Sequence, residues 1–144
     1  AMLIGFYFYL ESISRSYGTY AVLPDGSKIS LELARTDEER ARGLSGRASL
    51  PPDKGMYFIF PSEDIYGFWM RGMQFPIDII WVKHSVIVGI AERVPVEPGV
   101  PDGELKIYRP PEPVSSVLEV RAGSATRYGL VPGDKIKIQI VPTK

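Results

Sequence analysis

The chain has 144 residues, 44% hydrophobic and 24% charged, with 17 basic side chains balancing 17 acidic ones. That is one domain's worth of globular chain, able to bury roughly two-thirds of its unfolded surface and to fold without disulfide or metal. The zero net charge argues against a dedicated nucleic-acid binder and against an acidic disordered tail, so no nucleic-acid partner is expected. With no Cys, thiol nucleophiles, iron–sulfur clusters and thiolate zinc sites are excluded, and with His84 the single histidine, so is a multi-His metal site within one chain. No cofactor and no metal are therefore expected. Asn is absent, Gln occurs only at Gln74 and Gln139, and there are 13 Pro, a balance that suggests a thermophilic source.

Composition shifts sharply only at the amino end, where Met2 to Leu10 carries no charge. The run is too short to span a bilayer, which takes about 20 apolar residues. It reads as the tail of a clipped signal or anchor segment, as a first strand with Phe6, Phe8 and Leu10 on one side, or as an aromatic segment pairing with another chain. Residues 1–18 are accordingly set apart as an extension and residues 19–144 as one mostly-β domain. Membrane attachment through Met2–Leu10 and an extracytoplasmic setting stay open.

Thr19 to Leu23 and Lys28 to Ala34, joined by Pro24-Asp25-Gly26-Ser27, form a predicted hairpin; Ile29, Leu31 and Leu33 alternate with polar residues. Thr36-Asp37-Glu38-Glu39 is a capping box opening a short helix that Gly43 and Gly46 weaken. Met56 to Phe60, Tyr66 to Met70 and Ile77 to Val82 read as successive strands of a barrel or sandwich. Lys83-His84-Ser85 turns the chain into Val86 to Ile90. Val94 to Val114 holds six prolines and one short predicted strand at Leu105 to Tyr108, a candidate rim or lid. Val117 to Val120 is a strand, Ser124 to Tyr128 a helical turn closed by Gly129, and Ile136, Ile138 and Ile140 alternate in a last strand. The expected class is mostly β (α+β), a small barrel or sandwich with one or two short helices.

Strong catalytic signatures are absent: there is no phosphate loop, no nucleophile elbow and no zinc-binding helix motif. His84 reads as a solvated turn residue, and the Arg35–Arg47 cluster as a helix face with pairs such as Glu38–Arg42. Two carboxylates stand out. Asp78 lies among Phe75, Pro76, Ile77, Ile79, Ile80 and Trp81, so it must be hydrogen-bonded, paired with a base or pointed into a cleft. Glu119 alternates with Val117 and Arg121, which suggests a half-wet sheet face. Phe68-Trp69-Met70-Arg71 is the densest aromatic point; it reads either as a central buried strand or, with Trp69 and Arg71 outward, as an open platform for a planar or sugar-like ligand.

Arg40 with Gly43-Leu44 and Arg47, Leu50-Pro51, Gly55-Met56, Phe60, Phe68-Trp69-Met70, Pro76-Ile77-Asp78-Ile79-Ile80, Leu118-Glu119, Gly123, Gly129-Leu130 and Gly133-Asp134 follow one another in an order that resembles domain of unknown function 192, a family of bacterial and archaeal proteins. The resemblance runs from about Thr36 to Lys137. It implies a compact mostly-β domain, often made with an amino-terminal signal or anchor, and it implies no activity. Where that family usually carries Asn-Thr, this chain has Gly72-Met73.

Three functions compete. The first is a non-catalytic module for a small ligand such as a carbohydrate or envelope component, with Trp69, Arg71 and Tyr66 as platform and Arg40, Asp78 and Glu119 as polar groups. The second is a hydrolase using Asp78 and Glu119 as acid and base, which requires both in one cleft. The third is a structural or assembly protein acting through Met2–Leu10. A bidentate pair between Arg40 and Asp78, clamping helix to sheet, is a further expectation.

Overall fold

The computed structural model describes residues 17–143. Met2–Leu10, with the expectations for an anchor or a first strand there, lies outside the described residues. Seven strands form one sheet: β1 Tyr17–Val22, β2 Lys28–Ala34, β3 Lys54–Asp64, β4 Ile77–Lys83, β5 Val86–Val94, β6 Val114–Arg121 and β7 Lys137–Pro142, in the order β5-β4-β6-β3-β2-β1-β7. Two short helices interrupt them, α1 Asp37–Arg42 and α2 Ser124–Arg127.

All neighbouring strands run antiparallel except β2 and β3, which are parallel. A parallel neighbour requires a crossover, and residues 35–53 with α1 supply it. Thr36 caps α1 by accepting from the Glu39 amide at 3.1 Å. The tight return after β4 is made by His84 (φ 48°) and Ser85 (φ 64°), both left-handed, which gives the primed turn whose twist suits a two-residue hairpin.

Alternation sends apolar side chains to both faces of the sheet. On one face Ile29, Leu31, Ile80, Val82, Ile87, Leu118 and Val120 pack with Ala125 of α2 and with Ile136. On the other, Met56, Phe58, Ile77, Ile79, Trp81 and Val117 are covered by Leu44 and Leu50 of the crossover and by Met70. Strand β4, second from the edge, is buried on both faces over six of its seven residues, which is why its sequence reads as a continuous apolar run rather than an alternating one.

The mostly-β class with two short helices is confirmed. The sheet is not a closed barrel; its ends meet at one bridge, Val86 with Lys135. Two predicted strands are absent. Tyr66–Met70 and Leu105–Tyr108 are loops that touch through a single bridge, Phe68 with Tyr108. Each is pinned onto the covered face of the sheet rather than inserted into it, so their apolar residues serve as a lid without a ladder of their own.

Candidate ligand cleft

A cleft of about 330 Å³ opens between α1, the outer part of β3 and the loop Tyr66–Met73. A register shift in the β3–β6 ladder between Ile59 and Asp64 bends β3 away from its partner and turns Phe60 to this side. Phe60 stacks on Tyr66, with centroids 3.6 Å apart and planes at 13°. Phe68 meets Phe58 edge-on at 5.2 Å. These rings make an aromatic wall, and Trp69, 43% exposed, stands in the same lining.

Glu119 also lines the cleft. Its strand alternation is as expected, with Val117 on the same face, but the half-wet surface is not: the residue is 6% exposed, because α1, its following loop and the Phe68 loop roof that face. No hydrogen bond or ion pair to its carboxyl is present among the described residues. Burial without a partner raises its pKa from 4.5 to about 8, so the group is mostly neutral at pH 7. A neutral carboxyl both donates and accepts a hydrogen bond.

Arg40 is held in the wall of the cleft. Its Nη1 donates to the Ile59 carbonyl at 2.8 Å and to the Arg35 carbonyl, and its Nη2 to Asp37 Oδ1 at 2.6 Å. The guanidinium lies 5.2 Å from the Phe60 ring centre. It therefore clamps α1 onto β3, as expected of an arginine here, but through backbone carbonyls and Asp37 rather than through Asp78.

Asp78 is not in the cleft. It is fully buried and accepts from the backbone amides of Arg93 at 2.7 Å, Gly123 at 3.2 Å and Ala125 at 2.8 Å. Its register partner on β6 is Val120, whereas Glu119 faces Ile79, so the two carboxyl groups point to opposite faces of the sheet. The hydrolase expectation, which needed them together, fails on this geometry, and so does the Arg40–Asp78 pair.

Arg71 sits beside the cleft rather than in it. Its guanidinium is 5.6 Å from the Trp69 ring centre, and its Nε meets Asp102 Oδ2 at 3.1 Å. The Pro-rich connection is thereby tied to the arginine that lies over the indole. Of the expected platform, Trp69 and Tyr66 line the cleft and Arg71 does not; the ring that stacks on Tyr66 is Phe60. Gly72 has φ 68°, a conformation that Gly and Asn share, and Met73 after it lines the cleft. Sequence reading missed Phe58, Phe60, Phe68 and Ser45 as lining residues; the repeated aromatics at 58, 60, 66 and 68 were the available signal. His84 is an exposed turn residue with Nε2 at 2.9 Å from Glu63 Oε1, in line with its expected bland role. Among the described residues there is no cluster of metal-ligating side chains and no helix long and apolar enough to cross a membrane.

A two-faced, mostly antiparallel sheet with an aromatic cleft roofed over Glu119 defines a small β domain. The chain belongs to the DUF192 family, described as Uncharacterized ACR, COG1430, whose model matches residues 21–138. It is similar to a solved protein of unknown function from Novosphingobium aromaticivorans, at 34% identity over 83% of each chain with a TM-score of 0.71. It is also similar to a proposed transcription regulator from Sinorhizobium meliloti, at 30% identity over 86% of this chain and 95% of the other, with a TM-score of 0.72. No curated protein matches the chain.

Proposed function

We propose that this domain is a non-catalytic binding module whose cleft takes a small, uncharged, hydroxyl-bearing ligand of carbohydrate type. One observation carries the reading: the Glu119 side chain is buried in a cleft walled by aromatic rings, with no polar partner among the described residues. The carboxyl lines the cleft, so a ligand hydroxyl entering there can bond to it, and a hydrogen bond of this kind contributes about 1 kcal/mol. A neutral acid matches a hydroxyl in both directions of the bond, while Trp69, Phe60 and Phe68 offer apolar area to the C–H face of a ring. A volume of about 330 Å³ suits one or two sugar units rather than a long chain. The uncharged run Met2–Leu10 supports an envelope setting for such a module, with attachment to a membrane through that segment.

Calorimetric titration with a panel of monosaccharides and disaccharides tests the reading. Saturable heat from at least one sugar is expected, weakened about tenfold or more by Trp69→Ala and by Glu119→Ala. Absence of heat and of any thermal shift with every sugar at about 10 mM would remove the carbohydrate reading.

A further inference from the structure

We propose a second binding site on the other side of the crossover loop, built for a small organic anion and centred on Arg93 and Arg121. A cleft of about 520 Å³ there is lined by Leu50, Pro51, Phe75, Pro76 and these two arginines. Neither guanidinium has an acidic partner among the described residues. The floor is apolar on one side and cationic on the other, the pattern that suits a carboxylate or phosphate ester carried on a flat or apolar body.

The backbone is arranged to put Arg93 there. The β4–β5 register shifts between Ile77 and Ile79, with Ile77 opposite Val94 and Ile79 opposite Ala91, so Glu92 and Arg93 together face Asp78. Arg93 is the extra residue of this bulge and has φ 50°, a left-handed conformation that an L side chain adopts at a cost. Asp78 holds it, accepting the Arg93 amide at 2.7 Å while also fixing the Gly123 and Ala125 amides. The Arg93 guanidinium then lies against Gly123, where an added Cβ would stand 3.5 Å from Nη2. Arg121, the last residue of β6 and two positions before Gly123, lines the same cleft and completes the pair. A glycine would satisfy the bulge without strain, so the presence of arginine at a left-handed position points to a task for its side chain. Asp78 is in this account a positioning residue, acting through the Arg93 backbone.

Arg93→Gly provides the decisive test, since it removes the cation while relieving the left-handed strain. Benzoate and phenyl phosphate are titrated by calorimetry into the full chain, with inorganic phosphate and benzyl alcohol as further arms. Binding of one aryl anion is expected, falling as salt rises to about 0.5 M. Tighter binding of phenyl phosphate than benzoate identifies a phosphate ester as the natural group, and the reverse order a carboxylate. Arg93→Gly is expected to keep or raise the melting temperature and to weaken that binding about tenfold, with Arg121→Gln doing the same; Trp69→Ala leaves it unchanged, which separates this site from the aromatic cleft. No binding by the wild-type chain, binding of inorganic phosphate as tight as of either aryl anion, equal binding of benzyl alcohol, or full binding by Arg93→Gly would each overturn the proposal.

Discussion

Asp78 and Glu119 stand one register step apart on neighbouring strands β4 and β6 and face opposite sides of the sheet. Both are buried acids, yet their surroundings differ entirely. Asp78 has three backbone amides around it, and Glu119 has no polar partner among the described residues. The same residue chemistry thus serves as a bolt on one face and as an unfilled contact on the other.

Glu119 makes stability pH-dependent with a definite sign. Its folded pKa of about 8 lies above the ordinary 4.5, so the folded chain keeps a proton that the unfolded chain has lost. Its contribution is fully present below about pH 4.5, declines as pH rises toward about 8 and is level above that. Glu119→Gln abolishes this dependence. The melting temperature of the variant relative to wild type should rise between about pH 4.5 and pH 8 and then level off; a constant difference would show that Glu119 titrates normally.

Removing Asp78 strands three amide donors at once. Asp78→Ala should destabilise the fold by about 3 kcal/mol or more, read from urea unfolding. Asp78→Asn, which keeps the volume but turns a donor toward donors, should recover only part of that loss. A cost under about 1 kcal/mol for Asp78→Ala would mean that water replaces the carboxylate without penalty.

The two indoles divide cleanly, with Trp69 43% and Trp81 4% exposed. Iodide should quench the red part of the emission and leave a blue remainder, and Trp69→Ala should remove the quenchable part while changing stability by less than about 1 kcal/mol. Emission entirely shielded from iodide would place Trp69 in the core and remove the platform.

Gly55 on β3 lets the central strands approach. A Cβ at this position would stand 2.9 Å from the Glu119 carbonyl oxygen, a backbone atom that cannot swing aside. Gly55→Ala should therefore cost about 1–3 kcal/mol in thermal or urea unfolding, despite the usual gain from replacing glycine in a strand.

Much of this was legible in the sequence. The hairpin of β1 and β2, the Thr36 cap and the turn at His84-Ser85 each rest on local rules, and all three stand in the structure. The expected alternation of the last strand does not: Ile136 is buried ahead of β7, whereas Ile140 within it is 65% exposed, because this edge strand is covered only at its start. Tyr66–Met70 misled because it has the composition of a strand; apolar side chains are needed equally by a loop that roofs a sheet, and only tertiary context distinguishes the two. For the candidate site, Arg40, Trp69 and Glu119 do share one lining. Alternation along β6 gave the right face for Glu119, but whether that face was wet depended on a roof contributed by residues some 50 to 80 positions earlier. Asp78 could not be placed from its neighbours, since an acid amid apolar residues reads the same whether amides or a ligand satisfy it.

The bridge of Val86 with Lys135 joins β5 at one end of the sheet to the segment just before β7 at the other. Three backbone bonds reinforce it: Ile87 to Asp134 at 2.9 Å, Gly133 to Ile87 at 2.8 Å and Ile136 to Ser85 at 2.8 Å. So few bonds form a seam that can part while every ladder stays intact, exposing Ile87 and Ile136 to solvent before the molecule melts. The amides of those two residues would then exchange their hydrogens in concert and faster than the middle of β4, making the seam the first door into the interior.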